Sequence, residues 1–457
     1  MFESLDNPLR KIKEAVLGCG TESKRVFRFP GGTALPHHKE LSREAALEQL
    51  PQPATVTVPL WQHAGKPAQP CVTSGQTVRM GERIGEATDG ISAHVHAPVS
   101  GKVIDLSERS CASGKTSLCV VIENDGQDMT DYLPPLDGLT AGAELLLRRI
   151  EEAGIVGLGG ATFPARIKLE VPKGKHGDTL LINGIECEPY LTADGRLMQE
   201  RATSIVRGIR IVLRLLGLDR AIVGIEDHNR SAIAAMREAS SDCEQIAVQA
   251  MQTRYPQGQE KMLIRAATGR TVAQGCLPLD AGVIVHNVGT IHAIDEAIML
   301  GKPLVERVVT VSGEAIAHPK NLLVRIGTPV QSLLEYCGGC TTEEVAVFAG
   351  GPMMGAVLAS LDVPIEKGIN GIIAVPARAV EQGERYPCIR CGACNRACPM
   401  QLSPSLIAGY ADSDKMSEAK AAGMLACCNC GLCSVVCPSN RSSSKTIWRY
   451  RSLAQRK

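Results

Sequence analysis

Apolar and polar positions alternate by two near the start of the chain and by three and four in its middle. Within residues 26–135, Thr55-Val56-Thr57-Val58 alternates, and Cys119-Val120-Val121-Ile122 is a continuous apolar run. Glycine and proline punctuate the stretch between them, so this region reads as β. From about 140 to 300 the period switches repeatedly. Helical spacing covers 145–153, 195–216, 228–240, 257–267 and 290–300. Short apolar strands fall at 178–183, 220–225, 245–249 and 281–286, which predicts an α/β layer with mostly parallel strands. Residues 303–360 return to β, with strands at 305–313, 321–326 and 344–348 and one helix at 329–337. A short apolar strand at 372–375 lies in a connecting segment, 361–385. Residues 404–424 read helical, and 439–457 are basic and polar with helical potential around Trp448. The expected class is multidomain α/β + β.

Composition narrows this picture without changing it. The chain has 457 residues, 44 % apolar and 21 % charged, with a net charge of +1. That describes a globular chain of about three or four domains at ~100–200 residues each. No basic block of nucleic-acid type appears, so no nucleic-acid partner is expected. Glycine is plentiful at 45 residues, as expected where backbone approaches cofactors closely. The N-terminus has no apolar core of a signal peptide, and no window approaches about 18 consecutive apolar residues, so no spanning segment is expected. Residues 8–17 are a short basic amphipathic stretch, either a frayed surface helix or a docking peptide for a partner or membrane surface.

Eight of the 18 cysteines fall into two runs. The first is Cys388, Cys391, Cys394 and Cys398-Pro399. The second is Cys427, Cys430, Cys433 and Cys437-Pro438. Both follow C-x2-C-x2-C-x3-C-P, the signature of bacterial ferredoxins with two [4Fe–4S] clusters. Zinc sites use two separated ligand pairs, often with histidine, and neither run contains one. In such ferredoxins the fourth cysteine of each run ligates the other cluster. The resemblance therefore implies one cluster on Cys388, Cys391, Cys394 and Cys437, and another on Cys427, Cys430, Cys433 and Cys398. Cys428 lies outside this frame and reads as a bystander, with substitution into the frame left open. Iron–sulfur chemistry and reduced thiols indicate a reducing compartment.

Three further stretches carry polar chemistry. Gly157, Gly159 and Gly160, followed by Phe163 and Lys168, offer converging backbone N–H groups and a point charge for a phosphate. The stretch follows a helix, so the dinucleotide fingerprint of a strand-turn-helix does not apply. Asn183, Glu186 and Glu188 lie at the end of a predicted strand, where open α/β sheets bind ligands. Asn287 and Thr290 also lie at a strand end and a helix N-terminus, with Thr290 the expected cap. Earlier in the chain, the turns at Gly75 and Gly81 and the hairpin closing on Pro98–Gly101 resemble a biotinyl/lipoyl-type barrel-sandwich. Its tip carries His94-Val95-His96 where a carrier domain has lysine, so a structural or docking module is expected. The loops Phe29-Pro30-Gly31-Gly32-Thr33 and His37-His38-Lys39 suggest no chemistry by spacing.

Taken together, G-x-G-G-x-x-F-P…K, N-x-x-E-x-E-P and N-V-x-T resemble the flavin- and NADH-binding subunit of respiratory complex I. With the barrel-sandwich, a β-grasp (SLBB) module and the double ferredoxin, the chain over roughly 26–440 is similar to the RnfC family, which belongs to the Rnf ion-translocating electron transport complexes. The resemblance implies seven segments: a tail (1–25), a barrel-sandwich (26–135), a complex I flavoprotein-like α/β domain (136–301), an SLBB β-grasp (302–360), a linker (361–385), a two-cluster ferredoxin-like domain (386–445) and a basic tail (446–457). It places FMN on Gly157, Gly159, Gly160, Lys168, Asn183, Glu186, Asn287 and Thr290. It places NAD(H) on Phe163 and Glu188, with Glu260 on the adenosine side. Thr162 stands where complex I has glycine, and Ile185 where it has an acid.

The implied function is transfer of electrons from NADH through FMN and two [4Fe–4S] clusters to partner subunits, or the reverse. No side chain is needed as a general acid or base, because the redox chemistry belongs to the cofactors. The chain is expected to be peripheral, on the cytoplasmic face of the inner membrane. Other subunits of the complex and a ferredoxin or ferredoxin-like subunit are its expected partners. Two alternatives are a soluble flavin–iron–sulfur reductase such as cobalamin reductase, and an electron-carrying adaptor without NADH binding. The complete barrel-sandwich argues against the first, and the intact glycine and strand-end motifs against the second.

Overall fold

In the computed structural model the described residues are 27–380 and 383–455. The amphipathic stretch at 8–17 lies outside them. The chain from Phe27 to Leu50 does not join the N-terminal β layer. Phe27 bridges Met251, Thr33 bridges Tyr255, and β1 (Leu47–Gln49) adds to the edge of a distant sheet.

The barrel is built from β2 (Thr55–Pro59), β3 (Gln69–Pro70), β4 (Thr77–Val78), β5 (Arg83–Glu86), β6 (Val95–His96), β7 (Gly101–Ser110) and β8 (Thr116–Asn124). These form two sheets, β2-β8-β7-β4 and β3-β5-β6. The alternating valines point between them: Val56, Val58, Val95, Val103, Val120 and Ile122 are fully buried. The His94-Val95-His96 segment is not an exposed tip. His94 and His96 are buried with Val95, and the exposed turn is Asp89–Gly90. His94 Nδ1 accepts the Ala87 N–H at 3.0 Å, and burial pulls His94 down to about 4. Among the described residues, no three His, Cys, Asp or Glu side chains group to hold a single ion.

The α/β layer follows as α1 (Ala143–Glu152), α2 (Ala165–Leu169), β9 (Thr179–Gly184), α3 (Ala193–Glu200), α4 (Ala202–Leu216), β10 (Ala221–Glu226), α5 (Arg230–Ala239), β11 (Ile246–Met251), α6 (Glu260–Thr268), β12 (Val283–Asn287) and α7 (Val288–Met299). All four strands are parallel, in the order β11-β10-β9-β12. The chain steps away from β9 in one direction and then returns to its other side. That reversal opens a crevice at the carboxyl ends of β9 and β12. The expected single helix over 195–216 is two. Arg201 leaves helical geometry (φ −128°, ψ 25°), because α3 packs on α5 while α4 packs on α7.

Next come β13 (Glu306–Ser312), β14 (Lys320–Arg325), α8 (Val330–Tyr336), β15 (Val345–Ala349), β16 (Ala356–Val357) and β17 (Gly371–Pro376). The sheet order is β1-β14-β13-β17-β15-β16. The strand expected in a connecting segment thus sits inside this sheet, parallel to β13 and antiparallel to β15, with Ile372, Ile373 and Ala374 fully buried.

The C-terminal region holds α9 (Ala393–Ala397), α10 (Pro404–Asp412), α11 (Met416–Ala421), α12 (Leu432–Val435) and α13 (Ser443–Gln455). The expected helix over 404–424 breaks where Asp414 adopts φ 55°. The residues expected as a basic tail from 446 are helical as far as 455. Ile447 is buried with Ile407, Ala408, Ala419 and Met424, so α13 closes this small core.

Candidate functional site

The glycine-rich loop is pinned at its base. Gly157 N–H donates to Phe163 O at 2.9 Å, and Thr162 N–H donates back to Gly157 O at 3.2 Å. Leu158 N–H donates to Thr290 Oγ1 at 2.9 Å, tying the loop to α7. Thr290 is therefore a loop anchor. The cap of α7 is Asn287, whose Oδ1 accepts Gly289 N–H at 2.8 Å. Thr162 sits at φ 49°, the left-handed region that favours glycine, so the backbone keeps the conformation glycine would allow. The tip is left open: among the described residues, the N–H groups of Gly159, Gly160 and Ala161 have no protein acceptor, and all three residues are exposed.

Asn183 and Asn287 are paired across β9 and β12 and face the crevice from adjacent strand ends. Asn183 Nδ2 donates to Gly258 O at 2.9 Å. Asn287 Nδ2 donates to Asp194 Oδ2 at 2.6 Å. Glu186 turns back to cap α3, accepting Asp194 N–H at 2.8 Å and Gly195 N–H at 2.7 Å. Burial, reinforced by Glu186, pushes Asp194 up to about 7. Behind Glu186 a polar cavity of about 150 Å³ is lined by Lys39, Arg196, Glu226 and Asn229. It opens beside the β9–β10 strand ends, whereas the glycine loop itself is open surface.

Lys168 and Glu260, expected at different ends of a dinucleotide, meet in one ion pair. Lys168 Nζ donates to Glu260 Oε1 at 2.7 Å and to Val285 O at 2.8 Å. Phe163 is half-buried where the loop closes. Glu188 has one oxygen accepting Met353 N–H at 3.0 Å and the other buried without a partner. Burial raises it to about 7.

Two residues here had weak or no sequence signal. Asp194 is marked only as an acid in the first turn of a helix. Lys39 is buried and donates to Glu186 O and Leu191 O, each at 2.5 Å, partners far away along the chain.

The cysteine runs interleave. Cys398 of the first run lines one apolar-rimmed cavity with Cys427, Cys430 and Cys433 of the second. On the other side, Tyr386 N–H, just before Cys388, donates to Ser439 O, just after Cys437, at 3.1 Å. Cys388 and Cys391 are exposed. Cys428 is not turned away: it lines the cavity, and its thiol hydrogen-bonds to Cys430, drawing Cys430 down to about 7. Burial pushes Cys398, Cys427 and Cys433 up, so these thiols hold their protons more tightly than an exposed cysteine. Five thiols, Cys398, Cys427, Cys428, Cys430 and Cys433, line this cavity, with no histidine among its lining residues.

Residues 27–127 match the RnfC barrel sandwich hybrid domain, 150–296 the Nuo51 FMN-binding domain and 308–357 the SLBB domain. These matches bear out the expected barrel-sandwich, flavoprotein-like and SLBB modules. The chain is 42 % identical over 396 residues to a subunit of the proton-translocating ferredoxin:NAD(+) oxidoreductase complex of Clostridium ljungdahlii, covering 86 % of each chain. It is 41 % identical over 395 residues to the counterpart in the Na(+)-translocating complex of Acetobacterium woodii, covering 86 % of this chain and 89 % of that one. It is 42 % identical over 382 residues to the corresponding subunit of the ion-translocating oxidoreductase complex of Rhodobacter capsulatus, covering 83 % of this chain and 74 % of that one.

Proposed function

This chain belongs to the RnfC family of ion-translocating ferredoxin:NAD(+) oxidoreductase complexes, and on that premise we propose that it takes electrons from NADH at the rim of its α/β sheet and delivers them, through its two cysteine runs, to the other subunits. Bound FMN supplies the exchange between hydride and single-electron chemistry, and two [4Fe–4S] clusters supply one-electron carriers.

The observation that carries this reading is the row of free N–H groups at Gly159, Gly160 and Ala161, beside the strand ends of Asn183 and Asn287. Three exposed donors on one turn fit the phosphate of FMN, and Lys168 sets a positive charge nearby. Asn183 and Asn287 stand where they can donate to or accept from the ring, and Glu186 holds their loop by capping α3. Phe163 and Glu188 form the nicotinamide side. Glu260 steadies Lys168 as well as facing the nucleotide. Cys427, Cys430, Cys433 and Cys398 hold one cluster, and Cys388, Cys391, Cys394 and Cys437 the other. The chain supplies binding, orientation and charge. No helix among the described residues is long and apolar enough to cross a membrane. On this reading the chain is a peripheral member of the complex on the cytoplasmic face of the inner membrane. There it docks on membrane partners and exchanges electrons with ferredoxin or a ferredoxin-like subunit.

The test is anaerobic loading of the full chain with FMN, iron and sulfide, followed by NADH titration read by flavin absorbance and EPR. Bleaching of the flavin and appearance of two reduced-cluster signals are expected. A chain that retains no flavin, or whose flavin stays oxidised under excess NADH, ends the proposal.

A further inference from the structure

The loop Phe29-Pro30-Gly31-Gly32-Thr33 lies between the α/β domain and the C-terminal cysteine region. Gly32 N–H donates to Ala397 O at 3.0 Å, next to Cys398. Gly31 sits at φ +76°, where an added Cβ would be 2.6 Å from Cys398 O. The other side of the loop grips the α/β domain. Thr33 and Tyr255 exchange both backbone hydrogen bonds, at 3.0 and 2.9 Å, and Arg254 Nη2 donates to Gly32 O at 2.9 Å. Tyr255, 3 % exposed, then reaches across the junction: its hydroxyl donates to Cys430 O at 2.9 Å. Cys398 and Cys430 belong to the same thiol-lined cavity. From a third direction, Met353 N–H binds Glu188, and Met353 O lies 3.5 Å from where a Cβ on Gly431 would be.

We propose that the 29–33 loop and Tyr255 form a clamp that seats the Cys398/Cys427/Cys430/Cys433 cavity against the rim of the α/β sheet and fixes the distance over which electrons leave the flavin site. The inference rests on the functional reading above. Gly31, Gly32 and Tyr255 are positioning residues. Their backbone and hydroxyl contacts hold the main chain at Ala397, next to Cys398, and at Cys430, leaving the thiols for the metal. Glycine is required at 31 for two independent reasons, its positive φ and the closeness of Cys398 O. The clamp also accounts for the first described residues of the chain packing on the α/β layer and the C-terminal region rather than joining the barrel.

The test compares Gly31→Ala and Tyr255→Phe with Gly75→Ala. Gly75, in a barrel turn, has a similar positive φ (+91°) and nothing near its Cβ position. All are made in the full chain, loaded with FMN and clusters under anaerobic conditions. Amide hydrogen exchange over 397–402 and 427–431 is read first. Tyr255→Phe should speed it about fivefold, the effect of losing one hydrogen bond, and Gly31→Ala by more. In stopped flow, NADH reduction of the flavin should keep its rate, while cluster reduction after it slows by about 10- to 100-fold in Gly31→Ala, as expected for an ångström-scale displacement. Exchange and cluster-reduction rates in both variants equal to those of Gly75→Ala would overturn the clamp. If Gly31→Ala does not take up clusters, Tyr255→Phe alone decides. If NADH fails to reduce the flavin of the unsubstituted chain, the functional reading fails, and hydrogen exchange still judges the clamp.

Discussion

Gly75 and Gly81 in the barrel and Gly160 in the sheet-rim loop all have positive φ, at +91°, +93° and +101°. Their hydrogen bonds differ. Gly75 N–H donates to Val103 O at 2.7 Å and Gly81 N–H to Ala97 O at 2.8 Å, so the barrel turns close on the barrel itself. Gly159, Gly160 and Ala161 donate to nothing among the described residues. At Gly75 and Gly81 the glycine N–H is already bonded within the barrel and is not available to a ligand. The rim loop is held by Phe163 and Thr290 at its base and leaves its tip to water, which an anion can replace without breaking any bond of the fold. On the proposed function the same residue type thus serves architecture in one region and recognition in the other, and the fate of the glycine donors tells them apart.

Substitutions can separate these roles. The largest effect is expected for Gly159→Val, which puts a branched side chain over the free donors. FMN affinity of the apo chain should fall about 100-fold, about 2.7 kcal/mol, in a fluorescence titration, with the thermal midpoint nearly unchanged. An equal loss of stability would mean that the loop is structural like the barrel turns. Gly101→Ala is the mirror case. Its Cβ would come within 1.9 Å of Glu123 O. It should destabilise the chain by about 1–3 kcal/mol in denaturant unfolding, while the folded fraction binds FMN as before.

Lys168→Met should weaken FMN binding by about tenfold and flatten its salt dependence, because a partly exposed charge acts through a screened field. Binding that keeps its full salt dependence would assign the charge to another residue. The smallest effect concerns Glu188. Burial raises it from an ordinary 4.5 to about 7, so the folded chain holds a proton that the unfolded chain has released. Its contribution to stability is present below pH 4.5 and is lost as pH rises through 7. Glu188→Gln should therefore gain stability over the parent between about pH 5 and pH 8, by about 1 kcal/mol once its partial exposure is discounted. A difference that stays flat across that range would show that the carboxylate is solvated.

The two regions also differed in how far the sequence foretold them. The barrel turns at Gly75 and Gly81 were legible because their φ demand is local. The burial of His94 and His96 was not, since an alternating pattern leaves open which face the rest of the fold will cover. At the rim, the glycines were legible as a turn after a helix, and Asn183 and Asn287 as strand-end polar residues. The capping of α3 by Glu186, the Asp194–Asn287 bond and the Lys168–Glu260 pair were not, because each joins residues whose approach depends on strand order.

By itself the sequence determined what a short stretch of chain decides: the period of each element, the thiol spacing of both cysteine runs and the glycines that let a loop turn. Tertiary structure alone decided which backbone donors were left over, that β17 enters a sheet, and that Lys39 reaches Glu186 and Leu191 from a distant segment of the chain. The physical reason is range. Dihedral preference and hydrophobic period act over a few residues, whereas satisfying or sparing a hydrogen bond depends on which distant segments the hydrophobic cores bring together.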